Sequence, residues 1–367
     1  MNFPETENKI LLKFEKYVKE NRLDNFSAET LRRLSDGLIN GGKFVSSGYM
    51  NKEYLSAYTA YYWPVSFTQF CRILDGIAGF KPKSMLDFGC GTGAASAAGA
   101  AYGAHSVSLY DRSEKASAEA TNILDYIYDG ALCIRKIPPS IPGKTFPFSE
   151  TKEYDLITAG HVLNEIDPEK GASGTMDTVL WLIGLLSRQG RIIIVEPALK
   201  RTSESLIMLR DMLLDEKDVF IEAPCVYSGK CPVLKRSSTN TCHGVWDWTP
   251  PERIKKSARN MGRTDRDKVK CSYLVLKKGT ASAKNKTKGD FSGIVVSDIM
   301  TNKSGRARLL VCSEEGRISF SAPRNGSGNA FNKFMNLKKG DRITVYTPQR
   351  RETGFGVVDD TTIELNQ

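Results

Sequence analysis

Residues 85–100 read MLDFGCGTGAASAAGA, an apolar run that passes into alanine, glycine and serine. Asp87, Gly89, Gly91 and Gly93 form a D-x-G-x-G-x-G pattern at the junction. Glycines there permit a tight turn and close approach of a ligand to the backbone, and a helix start offers unpaired N–H groups. The stretch therefore predicts strand, ligand-binding loop, helix. Outward from it, from about residue 83, the same alternation repeats. SVSLYD, ALCIRKI, YDLITAGHVL and GRIIIVEPA read as further strands, and SEKASAEATNILDYIYD, MDTVLWLIGLLSRQ and SESLIMLRDMLL as helices. This implies an α/β fold with a parallel, doubly wound sheet covered by helices on both faces.

The end of the second predicted strand, SLYD, places Asp111 where a carboxylate accepts hydrogen bonds from both ribose hydroxyls. Open α/β sheets bind ligands in the crevice outside the carboxyl ends of their strands. Two cofactors compete for this geometry. Gly89, Gly91 and Ala94 also satisfy the dinucleotide fingerprint. Asp87, two residues before Gly89, suits the cationic methionine end of S-adenosylmethionine and is poorly matched to a pyrophosphate. LDFGCGTG closely resembles motif one of class I methyltransferases. A dinucleotide site and an empty, vestigial site stay open as alternatives. Cys90 reads as a small filler of the loop.

A methyl acceptor site is expected after the fourth strand, at AGHVLNEI. Neither the Asn/Asp-Pro-Pro-aromatic stretch of base-amine methyltransferases nor the cysteine of RNA cytosine-carbon methyltransferases stands there. His161, Asn164, Glu165 and Glu196 are candidates to line the pocket, His161 as a base. Hydrogen bonding that shapes the loop is the plainer reading of all four. No catalytic residue is assigned.

CVYSGKCPVLKRSSTNTCH, residues 225–243, gathers three of the eight cysteines and one of the three histidines. With Cys271 it makes four candidate metal ligands: Cys225, Cys231, Cys242 and Cys271. Thiolates bind soft or borderline metals, and four complete a tetrahedral shell. Five, ten and twenty-eight residues separate them, without the tight knuckles of zinc fingers. Iron–sulfur clusters accept more dispersed ligands. Spacing alone leaves iron–sulfur, zinc and no metal open. His243 is a possible substitute ligand, an RNA contact or inert. Cys71, Cys133 and Cys312 read as core thiols.

Charge is concentrated in the same region. The chain carries a net +10, and residues 225–288 hold 16 Lys and Arg against 4 Asp and Glu. A cationic zone of this density favours a polyanion, most simply nucleic acid, or serves as a solubilising surface. Lys230, Lys235 and Arg236 are the candidate phosphate contacts.

The flanks complete the plan. Residues 1–80 read as helices, with a capping pattern at Ser27 and two helices across NKEYLSAYTAYYWPVSFTQFCRILDGIAGF, Pro64 opening the second. Tyr58, Tyr61, Tyr62 and Trp63 read as packing rather than RNA stacking. The expected units are 81–224 as cofactor-binding core, 225–278 as the basic cysteine segment completing it, 279–289 as linker, and 290–367 as a small all-β module, most plausibly OB-like. No run of about eighteen uncharged apolar residues exists, so no membrane partner is expected. The first residues have neither a secretory nor a transit pattern, which predicts a cytoplasmic protein. A monomer is the expected state.

Together these stretches resemble the mitochondrial small-ribosomal-subunit methyltransferase-like family, the Rsm-twenty-two group. The resemblance spans roughly residues 40–280 and rests on YLSAYTAYYWPVSFTQF, LDFGCGTGAAS, YDLITAGHVLNEI, IIIVEPAL and APCVYSGKCP…CH…CSYLVL. It implies a class I methyltransferase fold binding S-adenosylmethionine, and association with the small subunit and its rRNA during assembly. It also implies a [4Fe–4S] cluster on the four cysteines, with zinc the alternative. A tight C-x₃-C-x₂-C run is missing, which argues against radical chemistry. The lack of a transit pattern suggests a prokaryotic member. The family's own catalytic activity is uncertain, so a non-catalytic assembly factor is the companion reading.

Overall fold

The computed structural model describes residues 3–39, 51–139, 152–166, 172–234, 241–262, 267–279, 291–303, 305–323 and 325–366. The expected linker falls almost wholly outside them. Three helices come first, α1 (Phe3–Glu20), α2 (Ala28–Ile39) and α3 (Lys52–Asp75). The Ser27 hydroxyl accepts from the Thr30 N–H at 2.9 Å and caps α2. Strands and helices then alternate: β1 (Ser84–Phe88), α4 (Ala94–Ala101), β2 (Ser106–Tyr110), α5 (Glu114–Tyr128), β3 (Cys133–Ile137), β4 (Tyr154–Gly160), α6 (Ala172–Gly184), β5 (Leu186–Glu196), α7 (Lys200–Met212) and β6 (Val219–Ala223). The cysteine segment leads through β7 (Gly244–Asp247) and α8 (Glu252–Asn260) to β8 (Lys268–Lys278).

The main sheet has the order β3-β2-β1-β4-β5-β8-β6, with β7 paired to β8. It is mixed, not all parallel as the alternation suggested. The first five strands run parallel, and β8 is antiparallel to both β5 and β6. After β6 the chain passes through β7 and α8 before it reaches β8. It returns down the sheet between β5 and β6, which forces the antiparallel sense. Successive β5 residues face opposite sides: Ile193 and Val195 join a core with α1, α3, α4 and α5, whereas Ile192 and Ile194 join one with α6 and α7. β3 is an edge strand, and Cys133 on it is exposed rather than a core thiol.

Helix α3 is continuous where two helices were expected, and Pro64 lies inside it. Proline has no N–H, so the Ala60 carbonyl loses its helical donor. Arg253 of α8 supplies one instead. Its Nη1 donates to Ala60 O at 2.6 Å, and its Nη2 pairs with Glu15 Oε1 of α1 at 2.7 Å.

A second sheet follows, built from β9 (Phe291–Val295), β10 (Met300–Thr301), β11 (Ala307–Ser313), β12 (Gly316–Ala322), β13 (Arg342–Tyr346), β14 (Gln349–Arg351), β15 (Gly354–Gly356) and β16 (Thr362–Asn366). Its order is β14-β15-β12-β11-β9-β13-β16, with β10 on β11. Only β12–β15 is parallel among these pairs. The region is not purely β: α9 (Gly328–Met335) buries Ala330 and Phe334 against Phe320 in a separate core. That four-residue spacing is helical, but the glycines around it read as turns.

Arg253→Met should destabilise the protein by about 2–4 kcal/mol in urea unfolding, because it strands a buried carbonyl and a carboxylate. In a Pro64→Ala background the restored N–H can reach Ala60, and that cost should fall by about 1 kcal/mol. Equal costs in both backgrounds would mean that Arg253 acts through Glu15 alone.

Candidate functional site

Strand order reverses between β1 and β4, and a cavity of about 820 Å³ opens at the carboxyl ends of the strands there. The glycine loop forms one wall. Gly89 has φ 75° and packs under Val162, whose Cγ2 would stand 2.4 Å from a Cβ at this position. Any larger residue there is both strained and blocked. Gly91 lines the cavity opposite the Tyr58 hydroxyl.

Asp111 follows β2 and organises this loop. Its Oδ2 accepts from the Gly91 N–H at 2.8 Å, and its Oδ1 from the Ser113 N–H at 2.7 Å. Burial pushes its pKa up, opposed by these two donors and by Arg112. Each carboxylate oxygen keeps a further lone pair for a ligand hydroxyl. Glu165 also lines the cavity; burial raises it, while Arg112, 3.6 Å away, lowers it. Tyr58 and Tyr62 of α3 make an aromatic wall. Burial, with Glu165 and Asp111 nearby, pushes the Tyr58 phenol up, so it remains a protonated donor.

Asp87 takes a different place. It is buried and is not among the residues lining the cavity. Ser96 Oγ donates to its Oδ2 at 2.6 Å, the Ser96 N–H at 3.0 Å, and Thr158 Oγ1 to its Oδ1 at 2.8 Å. These bonds join β1, β4 and α4. Burial pushes Asp87 up to about 6 against those hydrogen bonds.

The loop after β4 is shaped by hydrogen bonds among the candidates themselves. Glu196 Oε1 accepts from the Leu163 N–H at 3.1 Å, and its Oε2 from Asn164 Nδ2 at 2.6 Å. His161 has φ 59°, an unusual conformation for a residue with a side chain. Its N–H donates to Val195 O at 2.7 Å, and Gln69 Oε1 lies 3.2 Å from its Nε2. Gln69 Nε2 is committed to Lys270 O, so its oxygen accepts and His161 Nε2 carries the proton. Burial pushes His161 down to about 4. It is a neutral donor at pH 7 and a poor base.

Helix α7 holds the cysteine segment. Arg210 is buried; its Nη1 pairs with Asp211 at 2.6 Å and donates to Gly229 O at 2.5 Å, and its Nη2 donates to Tyr227 O. Asp211 Oδ2 accepts from the Cys231 N–H at 3.0 Å. Ser203 Oγ accepts from the Cys242 N–H at 3.0 Å. Burial raises the Cys225 thiol, opposed first by Arg210 and reinforced by Cys231. Burial, then Cys225, Cys312 and Cys231, pushes Cys242 up to about 12. Burial and Cys225 do the same to Cys312 of β11, also to about 12. Cys225, Cys231, Cys242 and Cys312 thus lie within electrostatic reach of one another.

Cys271 differs from the expected fourth ligand. It is fully buried, and burial alone raises it. On β8 it faces the core with Val275, while Ser272 on the other face donates to Cys242 O at 2.8 Å. Among the described residues no three His, Cys, Asp or Glu side chains converge closely enough to hold a metal ion. His243 links the two sheets' regions: Lys339 Nζ donates to its Nε2 at 3.0 Å. Lys230 is exposed, and Lys235 and Arg236 lie outside the described residues.

A family model described as Mitochondrial small ribosomal subunit Rsm22 matches residues 52–344. The chain belongs to that family. The Rsm22 match covers the whole main sheet and all four interacting thiols, and it ends within β13 of the second sheet, before β14 to β16. No curated protein matches the chain. Among solved structures, magnesium protoporphyrin IX methyltransferase of Synechocystis PCC 6803, with bound SAM, is 16% identical, covers 66% of this chain and 97% of its own, at a TM-score of 0.38. The ribosomal protein L11 methylase of Lactobacillus delbrueckii subsp. bulgaricus is also 16% identical, covering 58% and 79%, at 0.34. Likeness at this level says nothing of ligand or substrate.

Several residues of this Rsm22 chain escaped the sequence reading. Tyr58 and Tyr62 were part of an aromatic run, but only helix phase separates them from buried Tyr61 and Trp63. Arg210 and Asp211 left a fainter signal, a charge pair in the last turn of a helix expected to pack on the sheet.

Burial pushes Glu196 up to about 7 from 4.5, against its hydrogen bonds to Asn164 and Leu163. A carboxyl raised in the folded state contributes stability that is complete below about pH 4.5 and lost as pH rises through about 7. From about pH 8 to pH 5, wild type should therefore gain about 2–3 kcal/mol on Glu196→Gln in unfolding free energy. A pH-independent gap would remove this titration from Glu196.

Proposed function

We propose that the chain is an S-adenosylmethionine-dependent, methyltransferase-like protein that acts on or binds small-subunit rRNA during ribosome assembly. The observation that carries this reading is the cavity at the strand-order reversal, with Asp111 fixed to the glycine loop, in a chain of the Rsm22 family. Asp111 would hold the ribose hydroxyls, and the Gly89–Gly93 loop would lie against the cofactor. The carboxylates of Asp111 and Glu165 suit a ligand with cationic centres. When bound, the cofactor supplies an electrophilic methyl group. The two tyrosines would flank the cofactor or a flat acceptor.

One observation favours the companion reading, an assembly factor without catalysis. His161, Asn164 and Glu196 are engaged with protein partners, and His161 is held neutral. None is poised to remove an acceptor proton.

We further propose that Cys225, Cys231, Cys242 and Cys312 hold a [4Fe–4S] cluster, with zinc the alternative. The donor chemistry of four neighbouring thiols supports this set, although in this structure they are not drawn together around a common centre. Binding would displace protons that burial now retains on sulfur. The strand pairing of the second sheet, with β12 parallel to β15 and a helix before β13, supports an OB-like reading of residues 290–367. Eight free thiols suit a reducing compartment such as the cytoplasm.

Two experiments follow. Asp111→Asn should weaken S-adenosylmethionine binding by roughly tenfold or more in calorimetry, with melting temperature checked in parallel. Labelled methyl transferred to small-subunit RNA identifies an enzyme, and binding without transfer identifies the assembly factor. After anaerobic purification, wild type should carry about four irons and matching sulfide. Cys312→Ser should lose metal as fully as Cys231→Ser, whereas Cys271→Ser should retain it. One zinc per chain would replace the cluster assignment, and metal retained in Cys312→Ser would restore Cys271 as a candidate.

A further inference from the structure

Even-numbered residues of β11 share one face of the second sheet. Cys312 stands near one end of that row and Arg308 near the other, about 13 Å apart along the strand. Opposite them on β12 are Arg317 and Ser321, respectively. Around Arg308 the surface folds into a second cavity, of about 430 Å³. Arg306, Arg308 and Arg351 line it, with the hydroxyls of Ser319, Ser321 and Thr353. No carboxylate is among its described lining residues.

The three cations differ in how they are held. Arg351 Nη1 donates to Ser321 Oγ at 3.1 Å, and its Nη2 to Gln349 Oε1 at 3.3 Å. Its guanidinium lies flat on Gly356, where a Cβ would fall 2.4 Å from Cζ. Arg351 is therefore aimed and fixed. Burial, and then Arg306, push its pKa down. Arg306 and Arg308 are exposed and make no ion pair among the described residues. Guanidinium groups with hydroxyl donors in a concave site match the oxygens of a phosphate.

A polyanion fits better than a lone anion because this cavity does not stand alone. Lys339 of the same unit bonds to His243, and Cys312 lies within reach of Cys225, so the second sheet adjoins the segment of +12 net charge. A strand with evenly spaced charges can follow both.

We propose that the Arg306–Arg308–Arg351 cavity binds backbone phosphate of an RNA strand. This rests on the reading that RNA is the partner. The shared chemistry would also admit inorganic phosphate or a free nucleotide, so both belong in the test.

The full-length protein, wild type and Arg306→Ala/Arg308→Ala, would be titrated into a labelled single-stranded RNA dodecamer at several salt concentrations. Both side chains are exposed, so melting temperature should hold. The double variant should bind roughly tenfold more weakly near 0.1 M salt, and its log–log salt slope should fall by about 1.4 for two lost contacts. RNA binding equal to wild type in affinity and slope overturns the proposal while the RNA reading stands. If wild type binds no RNA, yet takes up inorganic phosphate, AMP or a Glu-rich peptide in an arginine-dependent way, both the proposal and the RNA reading fail.

Discussion

One carboxylate, Asp111, sets the geometry on which the cavity at the strand ends depends. Its two oxygens take N–H groups from either side of the crevice, Gly91 in the loop after β1 and Ser113 at the start of α5. Backbone donors at a helix start and in a glycine turn have no partners of their own. A single acceptor placed between them satisfies both and closes the loop onto β2. The loop then cannot drift without leaving a buried donor unpaired. The carboxylate that fixes the loop also faces the cavity.

Asp87 illustrates the opposite division of labour. Motif spacing placed it toward a ligand, but packing turned it inward to Ser96 and Thr158. Motif one is therefore two devices in this chain. Its glycines shape the cavity wall, and its acid joins strand to helix beneath it. An acid buried in this way is costly to hold as an anion, so burial pushes its pKa up to about 6 while three hydrogen bonds oppose the rise.

Much of the fold was legible because it rests on local periodicity. The strand–helix alternation and the cap at Ser27 follow from spacing. What was not legible depended on distant partners. Pro64 read as a helix start because nothing local reveals that Arg253, far along the chain, can replace the missing N–H. The sense of β8 depended on the route taken after β6. Cys312 looked like any thiol in an alternating strand, and Cys271, nearer in sequence to the cysteine segment, looked the better ligand. Strand phase favours the other order: Cys271 lies in the core with Val275, whereas Cys312 is within electrostatic reach of Cys225.

That reversal changes what a metal would do. With Cys271 as a ligand, a bound cluster would fold only the basic segment onto its own sheet. With Cys312, three sulfurs follow β6 and the fourth rides on β11, so ligation would join the two sheets. The contacts already present there are modest, such as Lys339 to His243 and the Tyr227 ring beside Gly316. Metal–thiolate bonds are stronger than these and would dominate the junction. The arginine cavity sits on the same strand face as Cys312. Its placement relative to the basic segment would then be set by the cluster, and ordering one would order the track along which a phosphate chain is held.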